Sequence, residues 1–388
     1  MIVVSLLLFL ALVHGVTAEE TCSFSSVWRS YYGGSGTTAY SVATDSSGNV
    51  YVTDPGSNRI QKYSSDGEII SYWDGGTRGT ENEHFSSPAG IAVDSSGNVY
   101  IADRKNHTIQ KLSSRGFLDT WGSEGTGERQ FSSPAGLAAD SSGNVYVADT
   151  GNNRIQKLHS TGTFMMTWGA YGTADGQFNA PMGVTVDSSG HVYVADSGNK
   201  RIQKFTGDGT FLAKWGSEGT GEGQFSAPTG ITADSWGNVY VADLTSRVQK
   251  FSPTGEYFTT CNASGSTYDV AVDPSGSIYI LWKSGPHWQI GRYETGNPAS
   301  LATSTPAVHT TFSAFAEQTT TRVTPATSLT TAPATSPATN VTPAPSSTTD
   351  YDTRTHEPGE QRAEQGRIIE EQGNILDQFI RFFRNLLG

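Results

Sequence analysis

Four aspartates recur along this chain at nearly constant spacing: Asp94, Asp140, Asp187 and Asp234, at steps of 46, 47 and 47 residues. A ring of carboxylates could gather a cation or share a proton, so their setting decides what chemistry is open to them. Each stands before a short Ser/Gly/Asn run, where an aspartate accepts hydrogen bonds from the turn's own backbone. The expected role is therefore a turn brace. The histidines His84, His107, His159, His191 and His287 fall at different places in the period and cannot form a ring. Metal catalysis needs about three protein ligands converging on one open position, which this spacing does not offer. Two cysteines, Cys22 and Cys261, are too few for a RING-type zinc site. The sequence contains no G-x-S-x-G elbow and no Gly-rich phosphate loop leading from strand to helix. Catalysis is not expected, and no metal or cofactor is implied.

The elements that carry these residues follow from the repeat itself. Within Gly136–Gly169, an apolar run ending at Asp140 meets Ser-Ser-Gly-Asn and then Val145-Tyr-Val-Ala-Asp149. That is a tight β-hairpin, with Gly143 supplying positive φ. Arg154–Leu158 reads as a third strand and Phe164–Trp168 as a fourth, joined by a turn at Ser160-Thr-Gly162. No segment of the repeat has a ten-residue helical period. Weaker copies anchored on Asp45 and Asp273 bring the total to six. A tandem period of this length made of four-stranded units predicts an all-β, six-bladed β-propeller. The last copy lacks a fourth strand, and Phe24-Ser-Ser-Val-Trp28 carries the Phe-x-x-x-Trp pattern of the others. The N-terminal strand should complete blade six and close the ring without an open seam. On this alignment Cys22 starts one fourth strand and Cys261 ends its neighbour, so the thiols are expected at opposite ends, beyond disulfide reach.

The pattern N-V-Y-V-A-D-T-G-N-N-R-I-Q-K with F-x-x-P-x-G upstream resembles the NHL repeat, over roughly residues 24–298. The resemblance implies six blades. Some members bind single-stranded RNA on a basic face, and some six-bladed relatives are metal-dependent lyases or hydrolases acting at the axial tunnel. Here Asp and Glu total 37 against 25 Lys and Arg, a net charge of −12, so nucleic acid is a poor partner. Each repeat's Arg or Lys also stands beside an Asp, as Asp149 with Arg154 and Asp196 with Arg201, which reads as a local ion pair bracing a loop.

Strand direction puts the second-to-third loops and the long interblade loops on one face, the natural face for binding. Around the tunnel mouth the residue between Pro and Gly is Ala89, Ala135, Met182 and Thr229, with Tyr40 and Tyr268 in the deviant blades. Their Gly slots hold Ser41 and Asp269, and blade six carries an elongated loop from Trp282 to Trp288. Deviations thus collect at the seam of blades six and one. Terminal repeats also deviate simply because they close the ring. As a binding patch, the seam would offer Tyr40, Ser41, Met182, Tyr268, Asp269, Trp282, Lys283, His287 and Trp288 to a protein or glycan.

Outside residues 22–298 the composition changes. Residues 1–18 read as a secretory signal peptide, which implies a secreted chain held at the cell surface. Residues 299–359 are rich in Thr, Ser and Pro, a disordered stalk by composition. Residues 360–388 place Leu376, Phe379, Ile380, Phe383, Leu386 and Leu387 on one helical face, suited to a membrane surface, self-association or another protein. Asn106, Asn262 and Asn340 head N-glycosylation sequons. The expectation is a non-catalytic binding platform on a stalk.

Overall fold

The computed structural model describes residues 21–30, 41–74, 84–114, 116–285 and 287–295. The signal peptide, the stalk, the C-terminal amphipathic segment, Asn340 and Tyr40 lie outside these residues. Within them, no helix is long and apolar enough to cross a membrane. Runs such as Val145–Asp149 and Val192–Asp196 are β-branched or aromatic and buried on both faces, as strands sandwiched between neighbouring sheets must be. Six four-stranded antiparallel sheets result, each ordered one to four from the axis outward.

Blade three shows the unit: Leu137–Ala139, Val145–Asp149, Arg154–Leu158 and Phe164–Trp168. Blade six is built from Ser266–Val272, Ser277–Ser284 and His287–Thr295, with Cys22–Ser30 as its outermost strand. The N-terminal clasp is therefore present, with Trp28 opposite Ile290 as Trp168 is opposite Ile155.

The core is divided among the blade interfaces. In blade two, Tyr100, Ala102, Ile109 and Trp121 pack with Phe131, Val145 and Val147 of the next repeat. Trp121 is 1 % exposed and presses on Gly162, in the third-to-fourth hairpin of blade three, whose φ of +76° already favours glycine. A Cβ there would lie 2.4 Å from the indole. The same contact recurs as Trp168 on Gly209, Trp215 on Gly255 and Trp28 on Gly67. In these four blades the last Trp thus meets the beginning of the next blade's fourth strand, because twisted sheets stack with their outer strands crossed.

That stagger corrects the expectation for the cysteines. Cys22 and Cys261 form a disulfide, with Cα atoms 5.2 Å apart across 239 residues of sequence. Phe24 pairs with Tyr293 as Tyr257 pairs with Phe251, so Cys22 occupies the slot of the hairpin glycine Gly255. Cys261, opposite Val248, occupies the Trp slot. The bond replaces a Trp–Gly contact at the one rim position where the chain is interrupted.

The segment from Trp282 to Trp288 is also corrected. It is not an elongated loop but a continuation of the sheet, with Lys283 opposite Trp288 and Ser284 opposite His287. Blade six consequently carries its second and third strands two residue pairs further than blade three does, as a β-hairpin wall. Trp282 takes the place of Asp149, and Gly291 the place of Gln156. A Cβ on Gly291 would lie 2.4 Å from the Trp282 indole, so the missing side chain is what makes room for the ring.

Candidate functional site

Two sets of repeated carboxylates hold opposite faces. On the hairpin face, Asp140 accepts from the backbone of Ser142 and Asn144, from Asn144 Nδ2 and from the Tyr146 hydroxyl. The pattern recurs at Asp94, Asp187 and Asp234, so the turn-brace reading holds. Between blades, Lys157 Nζ lies 4.8 Å over the Tyr146 ring and donates to the Gly207 carbonyl of blade four. These lysines are spent as interblade ties.

On the loop face, Asp149 is fully buried and accepts from Ser132 N at 2.7 Å, Asn152 Nδ2 at 2.9 Å, Arg154 Nε at 2.8 Å and Gln156 Nε2 at 3.1 Å. The Arg154 guanidinium then donates to the carbonyls of Thr126, Gly127 and Gln130. Asp196 and Arg201 repeat the arrangement on Thr173, Ala174 and Gln177. Each Asp–Arg–Gln set thereby holds an interblade loop rigid through buried, charge-assisted bonds. Blade six is entered by the short link 263–265, with no long loop to hold, and lacks all three brace residues. The loop tips remain exposed: Glu124 and Glu218 occupy the same position in two loops of one sequence, the loop between them has Tyr171 there, and Tyr171 is 71 % exposed.

Blade two retains Asp103 but has Thr108 where blade three has Arg154. Burial pushes Asp103 up to about 6, against bonds from Ser86, Asn106 and Gln110 that pull it down. A carboxylate whose folded pKa exceeds its unfolded value near 3.8 favours the folded state most when protonated. That contribution is lost as pH rises from about 4 to 6, a cost of about 3 kcal/mol at neutral pH. Thr108→Arg should supply the missing guanidinium. The expected result is a gain of about 1–2 kcal/mol at pH 7.5 that shrinks toward pH 4, read by denaturant melts at the two pH values.

The axial tunnel holds a cavity of about 370 Å³ lined by the first strands of all six blades. Close approach at its upper rim explains the glycine of P-x-G. A Cβ on Gly90 would lie 2.0 Å from the Ala135 carbonyl oxygen, to which Gly90 N donates. Gly136 N donates likewise to Met182 O. At the seam this ring of backbone bonds is replaced by side chains. Asp269 Oδ2 accepts from Ser41 Oγ at 2.5 Å and Val42 N at 2.9 Å, Oδ1 accepts from Val270 N at 2.9 Å, and the carboxylate packs on Gly230. Burial pushes it up to about 6, outweighing these three donors.

The structure brings Ser41, Met182, Tyr268 and Asp269 to the cavity and leaves the other described candidates elsewhere. Trp282 and Trp288 are 2 % and 1 % exposed, buried on opposite sides of blade six. Lys283 Nζ lies 5.5 Å over the Trp288 ring, and His287 is exposed on the raised hairpin. Tyr268 joins the two regions through an edge-on contact with Trp288 at 4.6 Å. One lining residue escaped the sequence reading. Thr150 and Ser197 use their hydroxyls to cap the Pro181 and Pro228 carbonyls, but the next blade has Leu244 there, facing the cavity. The replaced hydroxyl was the available signal. Among the described residues, no group of three His, Cys, Asp or Glu is placed to hold a metal.

Of the sequons, Asn262 is exposed at the end of blade five, whereas Asn106 donates its amide to Asp103.

Comparison with known proteins agrees with this architecture. An NHL repeat model matches residues 85–112, 131–158 and 178–205, and a β-propeller repeat model matches residues 27–53. Among curated protein sequences no match was found. Among solved structures, the chain is similar to a streptogramin B lyase, at 15 % identity and TM-score 0.51, covering 72 % of this chain and 98 % of that one. It is similar to a gluconolactonase from Xanthomonas campestris, at 14 % identity and TM-score 0.51, covering 72 % and 96 %. A protein of unknown function from Bacteroides thetaiotaomicron aligns at 17 % identity and TM-score 0.52, covering 71 % and 77 %. At these identities the likeness is one of fold.

Proposed function

We propose that this chain, a six-bladed β-propeller carrying NHL repeats, is a secreted, non-catalytic platform that binds a protein partner at a cell surface through its loop face. The observation that carries the reading is the brace system. Buried Asp, Arg and Gln side chains fix the interblade loops while leaving their tips exposed, two of them with the same Gly-Ser-Glu-Gly-Thr-Gly-Glu sequence and the one between them presenting Tyr171. A pre-ordered surface loses little entropy on binding, so rigid loops are what a recognition face requires. The disulfide supports export, since such bonds persist in oxidising compartments. If the chain passes through a glycosylating compartment, the exposed Asn262 is the expected acceptor within the propeller.

The fold shared with a lyase and a gluconolactonase does not carry their activities over, because function lies in sites grafted on folds. The cavity supports the binding reading: its carboxylate, Asp269, is fixed in position by neutral donors from Ser41, Val42 and Val270. The test is capture of the native surface partner by the secreted chain. Tyr171→Ser should weaken capture about tenfold while leaving the melting temperature within 1–2 °C, since Tyr171 is exposed. Unchanged capture would remove the interblade tips from the interface.

A further inference from the structure

The charge inside the tunnel is unbalanced. Among the described residues lining the cavity, Asp269 is the one carboxylate, and none is a lysine, arginine or histidine. Tyr268 is the only other titratable group among those described lining residues. The carboxylate is 9 % exposed, and its hydrogen bonds come from a hydroxyl and two backbone amides, all neutral donors. Such donors solvate a buried anion but do not cancel its charge. The repeated carboxylates of the loop face differ in this respect, for Asp149 and Asp196 each hold an arginine.

The rim of the cavity is also asymmetric. Met182, Leu244 and Tyr268 from blades four to six face Ala89 and Ala135 of blades two and three. One side of the mouth is therefore bulky and apolar, with an aromatic ring, and the other is shallow. A ligand that fills this space must cover apolar surface, and it gains most if it also brings the missing positive charge.

We propose that the axial cavity is a binding site for a small monoamine with an aromatic or apolar frame, its ammonium seated in the field of Asp269. The site is separate from the loop tips that would hold a macromolecule, and either can fail without the other. An anion is disfavoured here by the same uncompensated carboxylate, and a neutral analogue loses the charge attraction while keeping the apolar contacts.

The full mature chain, titrated calorimetrically at pH 7.5, tests this with three probes of one frame. Tyramine should bind at least tenfold more tightly than neutral 4-ethylphenol, and 3-(4-hydroxyphenyl)propionate should bind more weakly than either. In Asp269→Asn the preference for tyramine over 4-ethylphenol should vanish. Should that variant fail to fold, the wild-type chain still decides, because protonating Asp269 between pH 7.5 and 5 should erode the tyramine preference while 4-ethylphenol binding stays constant. Equal affinity for the amine and the phenol at pH 7.5, absence of binding by both, or a preference that survives in Asp269→Asn or at pH 5 would overturn the proposal.

Discussion

Replacing both Cys22 and Cys261 with serine is expected to cost about 3–5 kcal/mol of stability. The bond spans 239 residues, so it removes a large loop entropy from the unfolded chain. It also acts where the ring is closed without a chain connection, by the pairing of Cys22–Ser30 with His287–Thr295 and the packing of Trp28. A drop in melting temperature of roughly 10 °C follows for a domain of this size. Reduction of the wild-type chain with dithiothreitol should give the same shift and none in the double serine variant. Equal melting of the reduced and oxidised forms would mean that the clasp is held by its hydrogen bonds and by Trp28 alone.

The second large effect is expected at Asp149. Asp149→Ala removes the acceptor for Ser132 N, Asn152, Arg154 and Gln156 together. It leaves a guanidinium that is 13 % exposed without its carboxylate, a loss of about 3–5 kcal/mol. Hydrogen exchange should quicken first in residues 122–131, the loop that Arg154 ties down, and in its tip at Glu124. Asp149→Asn should recover part of the stability, since one oxygen still accepts. If exchange in 122–131 were unchanged in the alanine variant, the brace would have no part in ordering the loop face.

What could be read from the residues was everything that repeats. The Ser-Ser-Gly-Asn hairpins, the four strands and the N-terminal clasp each have a local cause, namely a turn residue, a β-branched run or an unfilled strand. The pairing of Asp149 with Arg154 was legible for the same reason. The disulfide was not, because it depends on the crossing of adjacent outer strands, a consequence of sheet twist that no single repeat displays. Aligning Cys22 with the hairpin glycines, rather than with the strand starts, would have placed it beside the Trp slot. The wall of blade six was misread as a loop because its Asp, Arg and Gln positions are lost. Their loss follows from the short link 263–265, which leaves nothing to brace. At the tunnel mouth, Tyr268, Asp269 and Ser41 were visible as departures from P-x-G. Trp282 and Trp288 departed as visibly and proved to be core, which only packing could reveal.

The most direct test of the loop face as the binding face is cross-linking mass spectrometry of the full secreted chain captured on its native surface. The account predicts partner cross-links confined to the interblade loops, residues 122–130, 169–177 and 216–224, and lost when Tyr171→Ser is used. Cross-links concentrated on the opposite face, at the hairpins following Asp94, Asp140 and Asp187, would contradict it.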